Sequence, residues 1–157
     1  MSFTFTVVDV EEKKIAGITV ETNMERSTTD CPALWGTFMP LMDGELAQNA
    51  AVIKGAPTYG VSQFIDMDRF VYWAAVEVNS LEGFSADLKT MTIAAGRYVK
   101  CVAPSLAQLG ETYMALDGWM NAQDKYTYNM QGVALEEYKH AWQMSDSIAI
   151  YVAVLEK

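Results

Sequence analysis

The strings Tyr72-Trp73-Ala74-Ala75-Val76-Glu77 and Tyr151-Val152-Ala153-Val154-Leu155-Glu156 decide the fold, because the second echoes the first seventy-nine positions later. Ala95-Gly96 echoes Ala16-Gly17 at the same spacing. A shared spacing at two separate places indicates an internal repeat. We therefore predict one domain over residues 1–157 made of two related halves, about 1–80 and 88–157.

Both halves show the same order of predicted elements. In the first half, alternating residues indicate strands over 3–8 and 13–20, a helix capped by Thr29 and Asp30, and strands over 59–65 and 70–78. After a linker over 79–87, the second half reads as a strand over 91–102, a helix over 105–120 and strands over 126–138 and 148–155. Ser105 and Gln108 form a predicted capping box for the second helix. We expect an α+β fold of tandem βαββ repeats, with pseudo-twofold symmetry, antiparallel sheets, one long helix per repeat and a ligand cleft between the repeats.

Composition limits the classes of partner. Of the 157 residues, 51% are hydrophobic and 20% are charged, so the chain can bury a core and is not disordered. The net charge of -9 disfavours direct binding of nucleic acid and favours cationic ligands. The longest apolar runs, such as 70–76, are much shorter than the roughly 20 residues that cross a bilayer, which predicts no membrane association. Residues 1–6 have neither a basic start nor a continuous apolar run, so we predict no signal peptide and a cytoplasmic protein.

Residues that commonly carry metal or nucleophilic chemistry are scarce. The two cysteines, Cys31 and Cys101, are far apart in sequence and are predicted to be reduced packing residues. The single histidine, His140, cannot supply a serine-histidine triad or a multi-histidine zinc site. No glycine-rich phosphate motif is present. We therefore predict no cofactor and no metal.

Glu136 and Glu137 form an unusual pair, because they lie in the otherwise apolar segment 130–138. Adjacent strand residues point to opposite faces, so at least one of these carboxylates faces the core or the cleft if the other is solvated. A buried carboxylate requires a cation, hydrogen bonds or a shifted pKa. The sequence does not decide which of the two faces the cleft, and a frayed strand end with both acids in water is the competing interpretation.

Aromatic and methionine side chains are abundant, with four Trp, eight Tyr, six Phe and ten Met. Most of them form a core, but such side chains around a carboxylate can also hold flat lipophilic cations. Trp73 and Tyr98 lie on strands of different repeats and are candidates to face each other across the cleft, but the sequence does not determine which face of its strand each occupies.

Several strings, taken in order, resemble the GyrI-like family of small-molecule-binding domains, which also serve as effector modules of transcription activators. Ala153 replaces a proline of the family pattern, Leu135 replaces an aromatic residue, and Lys139 stands where an acid is common. The strings that carry the resemblance are Lys14-Ile15-Ala16-Gly17, Leu34-Trp35-Gly36-Thr37-Phe38, Ile93-Ala94-Ala95-Gly96-Arg97-Tyr98, Leu135-Glu136-Glu137-Tyr138 and Ile150-Tyr151-Val152-Ala153-Val154.

The resemblance implies a stand-alone protein that binds lipophilic, aromatic or cationic compounds in order to sequester or sense them, with Glu136 as the acid of the pocket. Two alternatives stay open. One is a hydrolase that opens cyclopropane-containing genotoxins, in which Glu136 activates water and Tyr98 or Tyr138 binds the carbonyl. The other is an inhibitor of a DNA-handling enzyme, which requires a protein partner. The candidate ligand contacts are Glu136, Tyr138, Trp73, Tyr98, Trp35, Phe38, Met39 and Trp119.

Overall fold

The computed structural model describes residues 3–157. Met1 and Ser2, which belong to the predicted domain and to the segment for which no signal peptide is predicted, lie outside the described residues. The strands are β1 Thr6–Val10, β2 Lys13–Asn23, β3 Thr58–Phe64, β4 Arg69–Val78, β5 Lys89–Ile93, β6 Gly96–Ala103, β7 Tyr126–Tyr128, β8 Val133–Tyr138 and β9 Ile148–Glu156. The helices are α1 Ser27–Asp43 and α2 Leu109–Ala122, with short 3-10 turns at Leu46–Gln48 and Leu106–Gln108. The predicted α+β class with antiparallel strands and one long helix per half is confirmed.

The sheet has the order β1-β6-β9-β8-β3-β4-β2-β5, and β7 pairs with β9. The order is the same from both edges when the strands of the two halves are exchanged, with β1 as the counterpart of β5, β2 of β6, β3 of β8 and β4 of β9. The strand order is therefore symmetric about the ladder between the two central strands, β3 and β8, in which Gly60 pairs with Glu136. The division into repeats over 1–80 and 88–157 stays a prediction.

The first half contributes one strand more than the βαββ pattern predicts, and the second half contributes two more. The segment 91–102, expected to be one strand, is broken at Ala94 and Ala95 into β5, which pairs with β2, and β6, which pairs with β1 and β9. Two linking residues span at most about 11 Å between the strand ends. The two sides of the sheet must therefore approach each other, so the sheet curls around its inner face.

The expected strand over 126–138 is also interrupted. Its two parts, β7 and β8, both pair with β9, but four additional residues, 129–132, bulge out between them, so that the register of β8 on β9 is shifted by four residues from that of β7.

The helix caps also differ from those predicted. Helix α1 begins at Ser27, so Thr29 and Asp30 lie within its first turn, and Asp30 accepts a hydrogen bond from the Thr22 hydroxyl instead. Ser105 does donate to the Gln108 side chain, but a 3-10 turn precedes α2.

The two faces of the sheet have separate cores. The inner face carries a cluster that includes Ile15, Val61, Trp73, Tyr98 and Leu135. Both helices pack on the other face, over clusters that draw on all four central strands, β3, β4, β8 and β9. No helix within residues 3–157 is long and apolar enough to cross a bilayer.

The matched strings of the sequence are not equivalent positions in this sheet. Tyr72 lies on the face that the helices cover, whereas its match at the same offset, Tyr151, packs against the inner-face cluster. A shift of one residue moves a strand side chain to the opposite face. Residues of β4 and β9 that occupy the same face are therefore separated by an even number of residues, whereas the matched strings are separated by seventy-nine.

Candidate functional site: a buried glutamate between two helices

A cavity of about 1660 Å³ lies on the helix-covered face of the sheet, between α1 and α2. Its floor is formed by side chains of the four central strands, including Ser62, Tyr72, Ala134 and Val152. Since these strands come from both halves of the chain, the cavity occupies the place where the sequence predicts a cleft.

Glu136 lies at the centre of this floor and is 8% exposed. Strand alternation sends its neighbours Leu135 and Glu137 to the opposite face, where Glu137 accepts a hydrogen bond from Tyr59. The question left open by the sequence is thus answered geometrically: Glu136 faces the cavity between the helices and Glu137 does not.

Three tyrosine hydroxyls surround the Glu136 carboxylate. Tyr72 and Tyr138 donate to Oε1 at 3.0 and 2.9 Å, and Tyr113 of helix α2 donates to Oε2 at 2.7 Å. The Tyr72 oxygen in turn accepts a hydrogen bond from the Trp35 indole at 2.9 Å. The carboxylate therefore has three donors but no positive charge beside it, and within residues 3–157 none of the ion pairs includes Glu136.

Gly60 makes this arrangement possible. Strand β3 lies between β8, which carries Glu136, and β4, which carries Tyr72, and Gly60 is the residue paired with Glu136. A Cβ atom at this position would overlap the Tyr72 hydroxyl and lie 2.8 Å from Glu136 Oε1. Because Gly60 has no side chain, the Tyr72 ring can extend across β3 to the Glu136 carboxylate.

Burial controls the protonation chemistry of this cluster. Desolvation raises the pKa of Glu136 above its ordinary value, and the hydrogen bonds from Tyr113, Tyr138 and Tyr72 act in the opposite direction. Burial, followed by the nearby Glu136 charge, raises the pKa values of all three tyrosines, so they remain neutral donors. The same two causes, in that order, raise the pKa of the Cys31 thiol at the cavity wall to about 12.

The cavity has an aromatic wall and a rim of methionines. Trp35 and Trp142 each pack edge to face on Tyr138, with ring centroids 5.3 and 5.1 Å apart. The rim consists of methionines from helices and loops, and all of them are exposed: Met24, Met39, Met67, Met114 and Met130. These side chains present a deformable apolar surface to solvent.

The structure brings together four of the eight predicted contact residues, since Glu136, Tyr138, Trp35 and Met39 all line the cavity. Trp73 and Tyr98 do not, because their strand positions turn them into the inner-face cluster, where the Trp73 indole donates to Gln63. Tyr98 therefore cannot assist Glu136 in the predicted hydrolysis.

Phe38 and Trp119 also lie outside the lining. Phe38 is fully buried beneath α1, and Trp119 stacks on Phe5 at the far side of α2. The cavity also contains residues that the sequence did not single out, namely Tyr72, Tyr113, Trp142 and Cys31. A signal for Tyr113 existed in the spacing of Leu109, Tyr113, Leu116 and Met120, which forms one stripe of α2.

Charged and titratable side chains also line other parts of the cavity. Asp43, Asp66, Asp68 and Asp117 line it together with Lys54, Lys139 and His140. His140 is exposed, as expected of a surface loop. Within residues 3–157, no group of three or more His, Cys, Asp or Glu side chains is placed to hold a metal ion.

Fold and site together define a small α+β domain that encloses a cavity with a buried acid between two helices. The family model described as Cass2, integron-associated effector binding protein, matches residues 6–154. The chain belongs to this family, which is GyrI-like, as the resemblance of its sequence strings implies.

Solved structures with the same fold include three informative neighbours. An integron cassette protein from the mobile metagenome of Vibrio cholerae superposes with a TM-score of 0.68 at 14% identity, covering 96% of this chain and 95% of that one. SAV2435 bound to tetraphenylphosphonium gives 0.73 at 15%, with coverage of 97% and 94%. The C-terminal domain of EcmrR gives 0.71 at 12%, with 100% of both chains covered. Curated proteins gave no match.

Proposed function

We propose that this protein binds lipophilic, aromatic cations in the cavity between the helices and thereby sequesters or senses them in the cytoplasm. The observation that carries the proposal is Glu136: a buried carboxylate that has three hydroxyl donors and, within residues 3–157, no ion-pair partner. A cation in the cavity supplies the missing positive charge. The family, whose members bind effectors, and a neighbour of the same fold with tetraphenylphosphonium bound support a small-molecule ligand.

The rest of the cavity suits a ligand of this class. Trp35, Tyr138 and Trp142 offer ring faces and edges to an aromatic cation, and the rim methionines cover its apolar parts. Because the three tyrosine hydroxyls already use much of the hydrogen-bonding capacity of the Glu136 carboxylate, charge attraction and apolar burial contribute more to ligand affinity than a direct hydrogen bond from the ligand. The net charge of -9 raises the local concentration of cations.

The test uses two substitutions at adjacent residues, Glu136→Gln and Glu137→Gln. They remove the same charge on opposite faces of one strand, so Glu137→Gln is a matched control. Calorimetric titration with tetraphenylphosphonium and with neutral triphenylphosphine oxide measures the charge-dependent part of the affinity.

We expect Glu136→Gln to weaken tetraphenylphosphonium binding about 100-fold, because a charge at about 6 Å in a medium of effective dielectric about 20 contributes about 3 kcal/mol. Binding of the neutral oxide should change little in either variant, and Glu137→Gln should bind the cation as the wild type does. If Glu136→Gln weakens both ligands equally, the carboxylate shapes the cavity and does not select charge.

A further inference from the structure

A second cavity, of about 320 Å³, opens on the face of the sheet opposite Glu136. It lies beside the short link between β1 and β2, and its apolar lining includes Val8, Val10 and Leu135. Leu135 is fully buried in the inner-face cluster, so the cavity reaches down to the core of the curled sheet. Residues of both halves line it, as they line the larger cavity.

Two half-buried lysines line this cavity and have no carboxylate partner. The Lys13 ammonium lies over the Tyr59 ring at 5.6 Å, and the Lys100 ammonium lies over the Tyr151 ring at 5.5 Å. In the described part of the chain, neither lysine forms an ion pair. Both charges are held in place by aromatic faces while their donors remain available.

Carboxylates line the same cavity without neutralising these lysines. Glu137 accepts a hydrogen bond from the Tyr59 hydroxyl at 3.1 Å, and Glu11 lies at the exposed side. Neither acid is within ion-pair distance of Lys13 or Lys100, and the third acid, Asp9, pairs with Arg97 at 3.6 Å. Lys13, Lys100 and Glu137 share this small cavity, are half-buried and form no ion pair within residues 3–157, so a ligand that bears both charges can satisfy them together.

We propose that this cavity is a second binding site, specific for a small zwitterion that carries a carboxylate and an ammonium group on an apolar body, as a free amino acid does. The ligand carboxylate lies towards Lys13 and Lys100, and its ammonium lies towards Glu137 and Glu11. Its apolar part packs on Val8, Val10 and Leu135. This site is independent of Glu136, which faces the other side of the same sheet.

The experiment compares three ligands of one shape. Phenylalanine carries both charges, phenylalaninamide lacks the carboxylate, and 3-phenylpropionate lacks the ammonium. Each is titrated into the wild-type protein while NMR follows the ring signals of Tyr59 and Tyr151. We expect phenylalanine to shift both rings and to bind at least about tenfold more tightly than either analogue, a difference of about 1.4 kcal/mol.

Variants locate the site and separate it from the first one. Lys13→Gln combined with Lys100→Gln should weaken phenylalanine binding at least about tenfold, while Lys89→Gln, an exposed lysine outside both cavities, should leave it unchanged. Glu136→Gln should also leave it unchanged, and the double lysine variant should still bind tetraphenylphosphonium, which shows that it folds. If the Tyr59 and Tyr151 signals do not move with phenylalanine at about 20 mM, or if all three ligands bind equally in the wild type, the assignment is overturned.

Discussion

Replacing Gly60 with alanine tests the geometry of the glutamate site most directly. The new Cβ would overlap the Tyr72 hydroxyl and crowd Glu136 Oε1, so the Tyr72 ring must move away. That movement breaks the hydrogen bond from Tyr72 to the carboxylate and the one from Trp35 to Tyr72. A bond to a charged group contributes about 1.5–3 kcal/mol and a neutral one about 0.5–1.5 kcal/mol.

Alanine also reduces the freedom of the unfolded chain, which returns about 0.4–1 kcal/mol. We therefore expect Gly60→Ala to lower the free energy of unfolding by about 1–4 kcal/mol. Gly118→Ala is the matched control, since a Cβ in that helix has nothing within 4 Å and should stabilise the protein slightly. Urea unfolding at pH 7, followed by tryptophan fluorescence, measures both values.

The same substitution in a Tyr72→Phe background decides whether the clash is the cause. Removing the hydroxyl removes most of the overlap, so Gly60→Ala should cost about 1–2 kcal/mol less there than in the wild type. Strictly additive losses, or a Gly60→Ala variant as stable as the wild type, would refute the proposed path of Tyr72 across β3.

Three further predictions concern the charge and reactivity of the cavity. Tetraphenylphosphonium does not titrate, so calorimetry should show its affinity falling as pH decreases, with a midpoint above 4.5 because burial raises the Glu136 pKa; an unchanged affinity down to pH 4.5 would contradict the role of the ionised acid. Because the pKa of Glu136 is higher in the folded than in the unfolded state, its ionisation lowers the free energy of unfolding as the pH rises above 4.5. Glu136→Gln should flatten this part of the plot of unfolding free energy against pH, whereas Glu137→Gln should not. Cys31, with its pKa raised to about 12, should react slowly with a disulfide reagent at pH 8, and Glu136→Gln should accelerate the reaction; equal rates would remove the electrostatic link.

Local patterns predict much of the fold. Alternation and β-branched residues indicate β2, β3, β4 and β9 nearly to their ends, and the apolar stripes indicate both helices. The break at Ala94 and Ala95 escapes such patterns, because a strand that changes partners keeps its alternation. Only the curling of the whole sheet separates β5 from β6.

The site is predictable in part for the same reason. Alternation shows that Glu136 and Glu137 face opposite sides, but only the packing of the helices shows which side holds the larger cavity. Trp73 was predicted to line the cleft because its aromatic character does not show which face of the strand it occupies. It is adjacent to Tyr72 on β4, so its side chain points to the opposite face and lies in the inner-face cluster. Gly60 gives no sequence signal, because its role depends on the two strands that flank it.

The exchange of outer strands between the halves has a consequence for how the chain can be divided. Strand β1 hydrogen-bonds to β6, β5 hydrogen-bonds to β2, and β3 joins β8, so three ladders cross the connection at 79–87. A protease that nicks this connection should leave the two fragments associated as a split protein. Expressed alone, each fragment lacks both its borrowed strand and half of each cavity, so complementation between fragments would restore folding and binding together.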